Sequence, residues 1–222
     1  FTGLEAQAKG VLIVFFWAIL MWIVRPIPEY LIAVLAAAIL AIFFGQKANV
    51  VAGFATSGWW LCLWAGFIGA VIKYSGLGER VAYWILVKLT RSELSANYAT
   101  SIANTVLSLM IPSNTARGAV MSPICANICE GMGYARGEHK GDAAIMLSNL
   151  YTNTTNTWLF YTAVGANAIG MALVQETTGQ SISWLGWLKA TCIPAGIIVL
   201  LIPLLTQFKF SARKGEKREV NI

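Results

Sequence analysis

The segment 111–117 most constrains the fold, because it places a helix breaker, three hydrogen-bonding side chains and an arginine inside an apolar region. The flanking stretches, 98–110 and 118–129, are apolar or small almost throughout. Each stretch holds about 12–15 residues and would span roughly 20 Å as a helix, which is shorter than the bilayer core of about 30 Å. Two short arms joined at a polar tip predict a re-entrant hairpin with its tip near mid-membrane. Irregular backbone at that depth needs a protein-lined or water-filled cavity, which favours a substrate site.

The tip residues also predict where each arm ends. Pro112 cannot donate a backbone hydrogen bond and disfavours helical geometry at Ile111, so the first arm is expected to stop there. The second arm is expected to begin at one of three consecutive N-cap residues, Ser113, Asn114 and Thr115. A helix start carries unpaired N–H groups and the positive end of the helix dipole, which together suit an anion.

Arg117 falls in the first turn of the second arm, where a cation is unfavourable. The dipole disfavours it by about 0.3–1 kcal/mol, and the membrane disfavours it by several times more. A negative partner is therefore expected, either an anionic ligand or a carboxylate elsewhere in the folded protein. The apolar segments contain no candidate Asp or Glu, which favours the ligand.

Composition places the chain among multi-pass membrane proteins, since it is 57% hydrophobic and 12% charged, with a mean hydropathy of +0.65. Apolar runs predict membrane helices at 11–24, 30–44, 59–72 and 184–208. Charged and apolar residues alternate at helical spacing over 78–90, which predicts an amphipathic helix in the membrane interface.

The run 143–174 is apolar but interrupted twice. Hydroxyl and amide residues fill 152–157, and small residues fill 162–167. Together they predict a discontinuous helix that faces a cavity and approaches the hairpin tip. Packing of small polar residues between helices is the alternative.

Charge asymmetry predicts the orientation. With the hairpin re-entrant, twelve of the sixteen Lys and Arg fall on the side of the basic tail, three fall on the other side, and Arg117 is at the tip. The twelve are Arg25, Lys73, Arg80, Lys88, Arg91, Arg136, Lys140, Lys209, Arg213, Lys214, Lys217 and Arg218; the three are Lys9, Lys47 and Lys189. The positive-inside rule then makes the tail and the hairpin entrance cytoplasmic. The net charge of +6 is accordingly assigned to topology, and no nucleic-acid partner is expected.

Nothing in the sequence indicates an enzyme or a metal centre. The four cysteines lie in apolar segments, and the lone histidine, His139, lies in a charged loop without metal-ligand spacing. No Ser/His/Asp set or phosphate-binding loop is present.

The residues Ser113-Asn114-Thr115 on a cytoplasmic hairpin resemble the tip motif of the divalent anion/sodium symporter family of di- and tricarboxylate transporters. The longer stretch 112–117 looks like the family's exchanger branch, which includes citrate/succinate antiporters and 2-oxoglutarate/malate translocators. Residues 75–82 and 182–185 resemble, in order, the family's segment before its interfacial helix and the start of its next span.

The resemblance implies an all-α polytopic membrane protein that forms one half of an inverted-repeat transporter, with a re-entrant hairpin and a discontinuous helix. It implies scaffold helices and an interfacial arm helix over 1–94 and half of a transport domain over 95–175. The hairpin would occupy 95–129, the discontinuous helix 143–174, and a final span with a basic cytosolic tail 176–222. Only one Ser-Asn-Thr hairpin is present, so the chain looks like the N-terminal half, without the family's first helix. A second half, membrane lipid and a homodimeric partner are the implied partners, and a bacterial inner membrane is the implied location.

The resemblance also implies the site. Asn114 and Thr115 would contact a di- or tricarboxylate, and Ser113 would shape the tip. The remaining candidates for the substrate site are Arg117, Thr162 and Asn167. Sodium is the one ion the family would suggest, with Ser113, Asn114 and Gly165 as candidate ligands.

Two departures from the family pattern put sodium in doubt. Leu109 stands where sodium-coupled members have a serine, and Ala166 stands where a proline often precedes the loop asparagine. Elevator-type exchange is therefore the first interpretation and sodium-coupled symport the second. A membrane anchor or assembly subunit without transport is the interpretation from another class.

Overall fold

The computed structural model describes residues 5–134 and 140–210, and these residues form helices with no strand among them. Ten α-helices lie in these ranges: α1 (Ala6–Val24), α2 (Glu29–Phe43), α3 (Lys47–Phe54), α4 (Ser57–Tyr74), α5 (Leu77–Leu89), α6 (Glu93–Met110), α7 (Asn114–Gly131), α8 (Lys140–Leu159), α9 (Gly165–Thr178) and α10 (Trp184–Phe210). A 3-10 turn, Tyr161–Ala163, separates α8 from α9. The predictions for His139 and for the tail 211–222 fall outside the described residues.

The chain divides into two compact units, Phe1–Trp60 and Leu61–Ile222. In the first unit α1 and α2 run antiparallel, because the Phe44 ring covers Gly10 while the Trp22 indole donates to the Glu29 carbonyl. Arg25 makes the reversal in a left-handed conformation and pairs with Glu29 at 3.4 Å. Helix α3 occupies residues between the predicted membrane helices 30–44 and 59–72.

In the second unit α6 and α8 lie side by side in parallel, joined by a buried seam of polar side chains. The Ser101 hydroxyl lies 2.9 Å from that of Thr152, and Asn104 donates to Asn149 at 2.8 Å. Asn156 donates back to Asn104 at 3.2 Å. At the two ends of the seam Ser148 bonds the Asn97 carbonyl at 3.5 Å and Thr105 bonds Asn156 at 3.2 Å, so the residue numbers rise together, as parallel helices require.

Helix α7 runs antiparallel to α8, so α6 and α7 form a helical hairpin. At one end Asn153 of α8 donates to the Asn114 carbonyl at 3.0 Å. At the other end a Cβ on Gly141 would lie 2.6 Å from the Tyr134 ring and 3.0 Å from a Glu93 carboxylate oxygen. The outer ends of both arms therefore meet at the start of α8, and the tip lies at the far end.

The arms are longer than expected, so the length argument for a re-entrant loop was wrong. Helices α6 and α7 have 18 residues each, or about 27 Å, close to the thickness of a bilayer core. Helix α6 begins early because Ser92 and Ser95 form a capping box ahead of the apolar stretch. The depth of the tip in the membrane stays a prediction that rests on charge placement alone.

The polar run 152–157 does not interrupt α8, contrary to expectation. Thr154 and Thr155 donate to the carbonyls of Leu150 and Tyr151, four residues back, so their hydroxyls are paired within the helix. The interruption comes later, at Phe160–Val164, around the 3-10 turn.

Helix α5 is amphipathic, as expected, and packs along α6 in the opposite direction. Gly78 faces Ile111 and Leu107 near the tip, while Leu89 shares a groove with Ser95 near the start of α6. Ala82, Ile85 and Leu86 are buried in the same apolar cluster. The placement of α5 in a membrane interface stays a prediction.

Burial is arranged as in a membrane protein. Fully buried side chains include Asn97, Asn104 and Asn156, whereas Phe15, Ile193 and Phe208 are among many large apolar side chains that are exposed. By length and composition α1 and α10 can each cross a bilayer, and α3 with the following helix counts as a third span if the two are taken together. Among the described residues this is fewer than the four membrane helices that the apolar runs predict, since α2 has only 15 residues.

Candidate functional site

The hairpin tip has the capping pattern that its sequence predicts. Helix α6 ends at Met110, and the Ser113 hydroxyl accepts from the Ala116 N–H at 3.2 Å as the N-cap of α7. Helix α7 therefore begins at Asn114, one of the three expected positions. Thr115 is exposed and Asn114 is half-buried.

Arg117 is completely buried, and its guanidinium joins the tip to the interruption between α8 and α9. Nη1 donates to the carbonyl of Ile111 at 2.9 Å and to that of Ala163 at 2.7 Å. Nε donates to Asn153 Oδ1 at 3.1 Å, and Nη2 lies 3.4 Å from the Asn153 carbonyl. Every partner is a neutral oxygen, and no carboxylate among the described residues pairs with this cation. The alternative of a carboxylate within the chain therefore finds no support in the described ranges.

Side chains satisfy the carbonyls that the interruption exposes. The Asn167 amide donates to the carbonyls of Thr157 at 2.7 Å and Phe160 at 3.2 Å. From α10, Trp187 donates to the Trp158 carbonyl and Thr191 to the Leu159 carbonyl, at 3.0 and 2.9 Å. The end of α8 thus keeps its polar backbone groups paired without water, as a membrane interior requires.

Two helix N-termini converge at this place. One nitrogen of Arg117 bonds the carbonyls of Ile111 and Ala163, which precede the starts of α7 and α9 by only a few residues. The first N–H groups of each helix have no intrahelical partner, and both dipoles present their positive ends. An anion placed here would meet backbone donors from two helices and the field of a buried guanidinium.

Helix α4 lies against both elements. Gly69 is close enough to Pro112 that a Cβ there would sit 3.4 Å from its Cδ. The Cys62 thiol donates to the Gly165 carbonyl at 3.2 Å, and a Cβ on Gly165 would lie 2.8 Å from this sulfur. A larger residue at the start of α9 would force the Cys62 side chain to shift.

The six predicted substrate-site residues therefore gather at one place, although they stand there in different ways. Ser113 is the N-cap of α7, and Arg117 is buried and bonds carbonyls of both the tip and the interruption. The Asn167 amide donates to two backbone carbonyls. Thr162 accepts from the Trp184 indole at 3.3 Å and keeps its own hydroxyl hydrogen. Their contact with a substrate stays a prediction.

Asn153, Trp187 and Thr191 were missed as members of this arrangement. Asn153 lay inside the predicted polar run 152–157, but its partners lie 36 and 39 residues away in the chain. A helical pattern does not reveal contacts of that kind.

Known proteins with similar sequences place these features in a family. The family model described as the sodium:sulfate symporter transmembrane region matches residues 2–221. The inner membrane protein YbhI of Escherichia coli (strain K12) is 27% identical over 92% of this chain and 45% of its own length. The putative malate transporter YflS of Bacillus subtilis (strain 168) is 30% identical over 92% of this chain and 44% of its own length. The citrate/succinate antiporter of Escherichia coli (strain K12) is 27% identical over 98% of this chain and 50% of its own length.

The chain thus spans about half the length of these curated relatives. The match extends over nearly all of its residues and confirms the resemblance carried by the tip motif and its two accompanying segments. The chain therefore belongs to the sodium:sulfate symporter family, which is the divalent anion/sodium symporter family of membrane transporters.

Proposed function

We propose that this chain forms one half of a secondary carrier for di- or tricarboxylate anions. Relatives named as a putative malate transporter, a chloroplast dicarboxylate transporter and a citrate/succinate antiporter support the substrate class. The convergence of the α7 and α9 N-termini at Arg117 is the observation that carries the proposal. Two helix N-termini beside a cation suit the negative charge of a carboxylate, and they offer few side chains that could catalyse a reaction of that carboxylate.

Within this site Thr115 and Asn114 are the contacts that we assign to the substrate. Thr115 is exposed at the first turn of α7, and the Ser113 and Thr162 hydroxyls each keep a hydrogen to donate. Asn167 would act by holding the interruption in shape, because its amide already donates to two carbonyls.

We propose that the carrier works by exchange, so that uptake of one substrate is coupled to release of another. Arg117 carries a permanent charge that neutral oxygens solvate but do not neutralise. A carrier that crosses the membrane empty would carry this charge uncompensated through a low-dielectric region, which is unfavourable. A carrier loaded with a carboxylate would cross more easily, so transport in one direction would require return transport of another substrate.

Elevator-type movement and a homodimeric scaffold complete the proposal. The seam between α6 and α8, together with the Arg117 clamp, would let the hairpin and the interrupted helix move as one body. The second half of the carrier would supply a matching hairpin.

Sodium-coupled symport is the second candidate, because one observation favours it. The Asn114 side-chain oxygen is buried and has no hydrogen-bond partner in the described part of the chain. An unpaired oxygen at a helix tip is a ligand that a cation would accept. A non-transporting anchor is the remaining alternative.

Uptake of labelled succinate, malate and citrate into liposomes that contain the full-length protein separates these functions. The proposal expects rapid uptake when the liposomes are preloaded with unlabelled dicarboxylate, little uptake when they are empty, and no effect of a sodium gradient. Uptake into empty liposomes that requires sodium would favour the symporter. If no carboxylate is taken up under any of these conditions, the result would favour the non-transporting membrane anchor.

A further inference from the structure

Among the described residues, Asn153 is the side chain that bonds both Arg117 and the first residue of α7. It lies on α8, only 6% exposed, with its Oδ1 on the Arg117 Nε and its Nδ2 on the Asn114 carbonyl. Gly118 leaves room for it, since a Cβ there would lie 3.4 Å from the same Nδ2. Asn153 therefore fixes the guanidinium and the start of α7 in one geometry.

The chemical identity of this residue decides the net charge of the site. Aspartate has nearly the same shape as asparagine and could accept the same hydrogen bond from Arg117. It would, however, place a negative charge 3.1 Å from Nε and form a buried ion pair. Asparagine makes the contact and leaves the cation uncompensated.

We propose that Asn153 determines the coupling of this carrier by keeping the Arg117 charge available to the substrate. The inference rests on the proposed carboxylate transport at the same site. Because position 153 is neutral, only a bound carboxylate cancels the buried charge, and the empty site resists movement. Asn153 acts through Arg117 and Asn114, so it is a positioning residue and does not need to contact the substrate.

The Asn153→Asp variant tests this directly. Net uptake of labelled succinate into unloaded liposomes, divided by exchange into loaded ones, is expected to rise about tenfold, a typical size for coupling between two sites. The KM for succinate is expected to rise as well, since the ion pair removes positive charge that the substrate would meet. A purely structural role for Asn153 would lower both fluxes together and leave their ratio unchanged.

Asn149→Asp is the matched control. Asn149 lies four residues earlier on α8, is 4% exposed, and accepts from Asn104 at 2.8 Å, a bond that aspartate would keep. The same carboxyl group is thus added to the same helix without a cation beside it. The flux ratio should stay at the wild-type value in this control, and a rise equal to that in Asn153→Asp would overturn the proposal.

A second variant covers the case in which Asn153→Asp does not assemble, as judged by size-exclusion chromatography in detergent. Gly118→Asp brings a carboxylate to the other side of the Asn153 amide. It should raise the flux ratio by a smaller factor, and an unchanged ratio would contradict the inference.

If the unmodified protein shows no carboxylate exchange, the proposed function fails and this inference fails with it. Normal exchange in the unmodified protein with an unchanged ratio in the assembled Asn153→Asp variant would overturn this inference alone.

Discussion

Arg117 is the residue on which most of the site depends, because its guanidinium satisfies oxygens from the tip, from α8 and from the 3-10 turn. Its sequence position already indicated a cation in an unfavourable place. Its partners could not be predicted, since Ile111, Asn153 and Ala163 lie on separate elements that only tertiary folding brings together. The expected negative partner does not occur among the described residues, which leaves its charge open to a ligand.

The Arg117→Ala variant should lose exchange, while net uptake without internal substrate should fall less or even rise. Removal of the cation removes the charge that holds back the empty carrier. The variant should also lose about 2–4 kcal/mol of unfolding free energy, because buried carbonyls are left without donors. Flux assays with loaded and empty liposomes check the first expectation, and thermal unfolding in detergent checks the second. Intact exchange in Arg117→Ala would contradict the assigned role.

Asn167 is expected to matter for transport through the shape of the interruption. Asn167→Ala leaves the carbonyls of Thr157 and Phe160 without their donor, so uptake should fall about tenfold or more. Asn49→Ala is the control, because Asn49 is exposed on α3 and bonds only Gln46. Equal transport in the two variants would argue that the interruption has a packing role only.

At the scale of elements, local patterns were predictable from the sequence and boundaries set by distant contacts were not. Pro112 and the cap at Ser113 define the tip through interactions within a few residues, and both lie where the sequence places them. The run 152–157 looked like an interruption because threonine and asparagine are poor helix formers. It stays helical because α6 supplies partners such as Ser101 and Asn104, which a pattern along α8 cannot reveal.

The antiparallel arrangement of α6 and α7 makes a prediction about topology. Cysteines introduced at Glu93 and Glu130, in a background without the native cysteines, should react with a membrane-impermeant reagent from the same side. From the positive-inside count we expect that side to be cytoplasmic. Labelling of the two positions from opposite sides of the membrane would contradict the antiparallel hairpin.

The contact between α4 and the start of α9 gives a prediction about packing. Gly165→Ala places a methyl group 2.8 Å from the Cys62 sulfur, so the variant should lose about 1–3 kcal/mol of stability through overpacking. Cys62→Ala in the same chain should restore most of this loss by making room. Thermal unfolding of the two single variants and the double variant measures the coupling between their stability changes. Additive losses of stability would show that the two residues are not in steric conflict.

At the scale of the whole molecule, composition predicted the membrane class correctly, and the described residues bury polar seams while they expose apolar faces. By length and composition, the described residues offer fewer spans than the four that the apolar runs predict, because α2 has only 15 residues. Helix-rich membrane folds of this kind are held by side-chain hydrogen bonds and close packing, since lipid removes the hydrophobic drive between helices. Their internal layout is correspondingly harder to derive from hydropathy than their class.

The proposed carboxylate site, formed by the hairpin tip and the interruption between α8 and α9, is expected to work without sodium. Calorimetric titration of succinate into the purified full-length protein in sodium-free buffer tests it directly, with the double variant Asn114→Ala/Thr115→Ala as comparison. We expect saturable binding in the unmodified protein and an affinity at least about tenfold weaker in the double variant, the loss of about 1.4 kcal/mol expected when hydrogen bonds to a charged ligand are removed. Equal affinity in the two proteins, or binding that appears only when sodium is added, would contradict it.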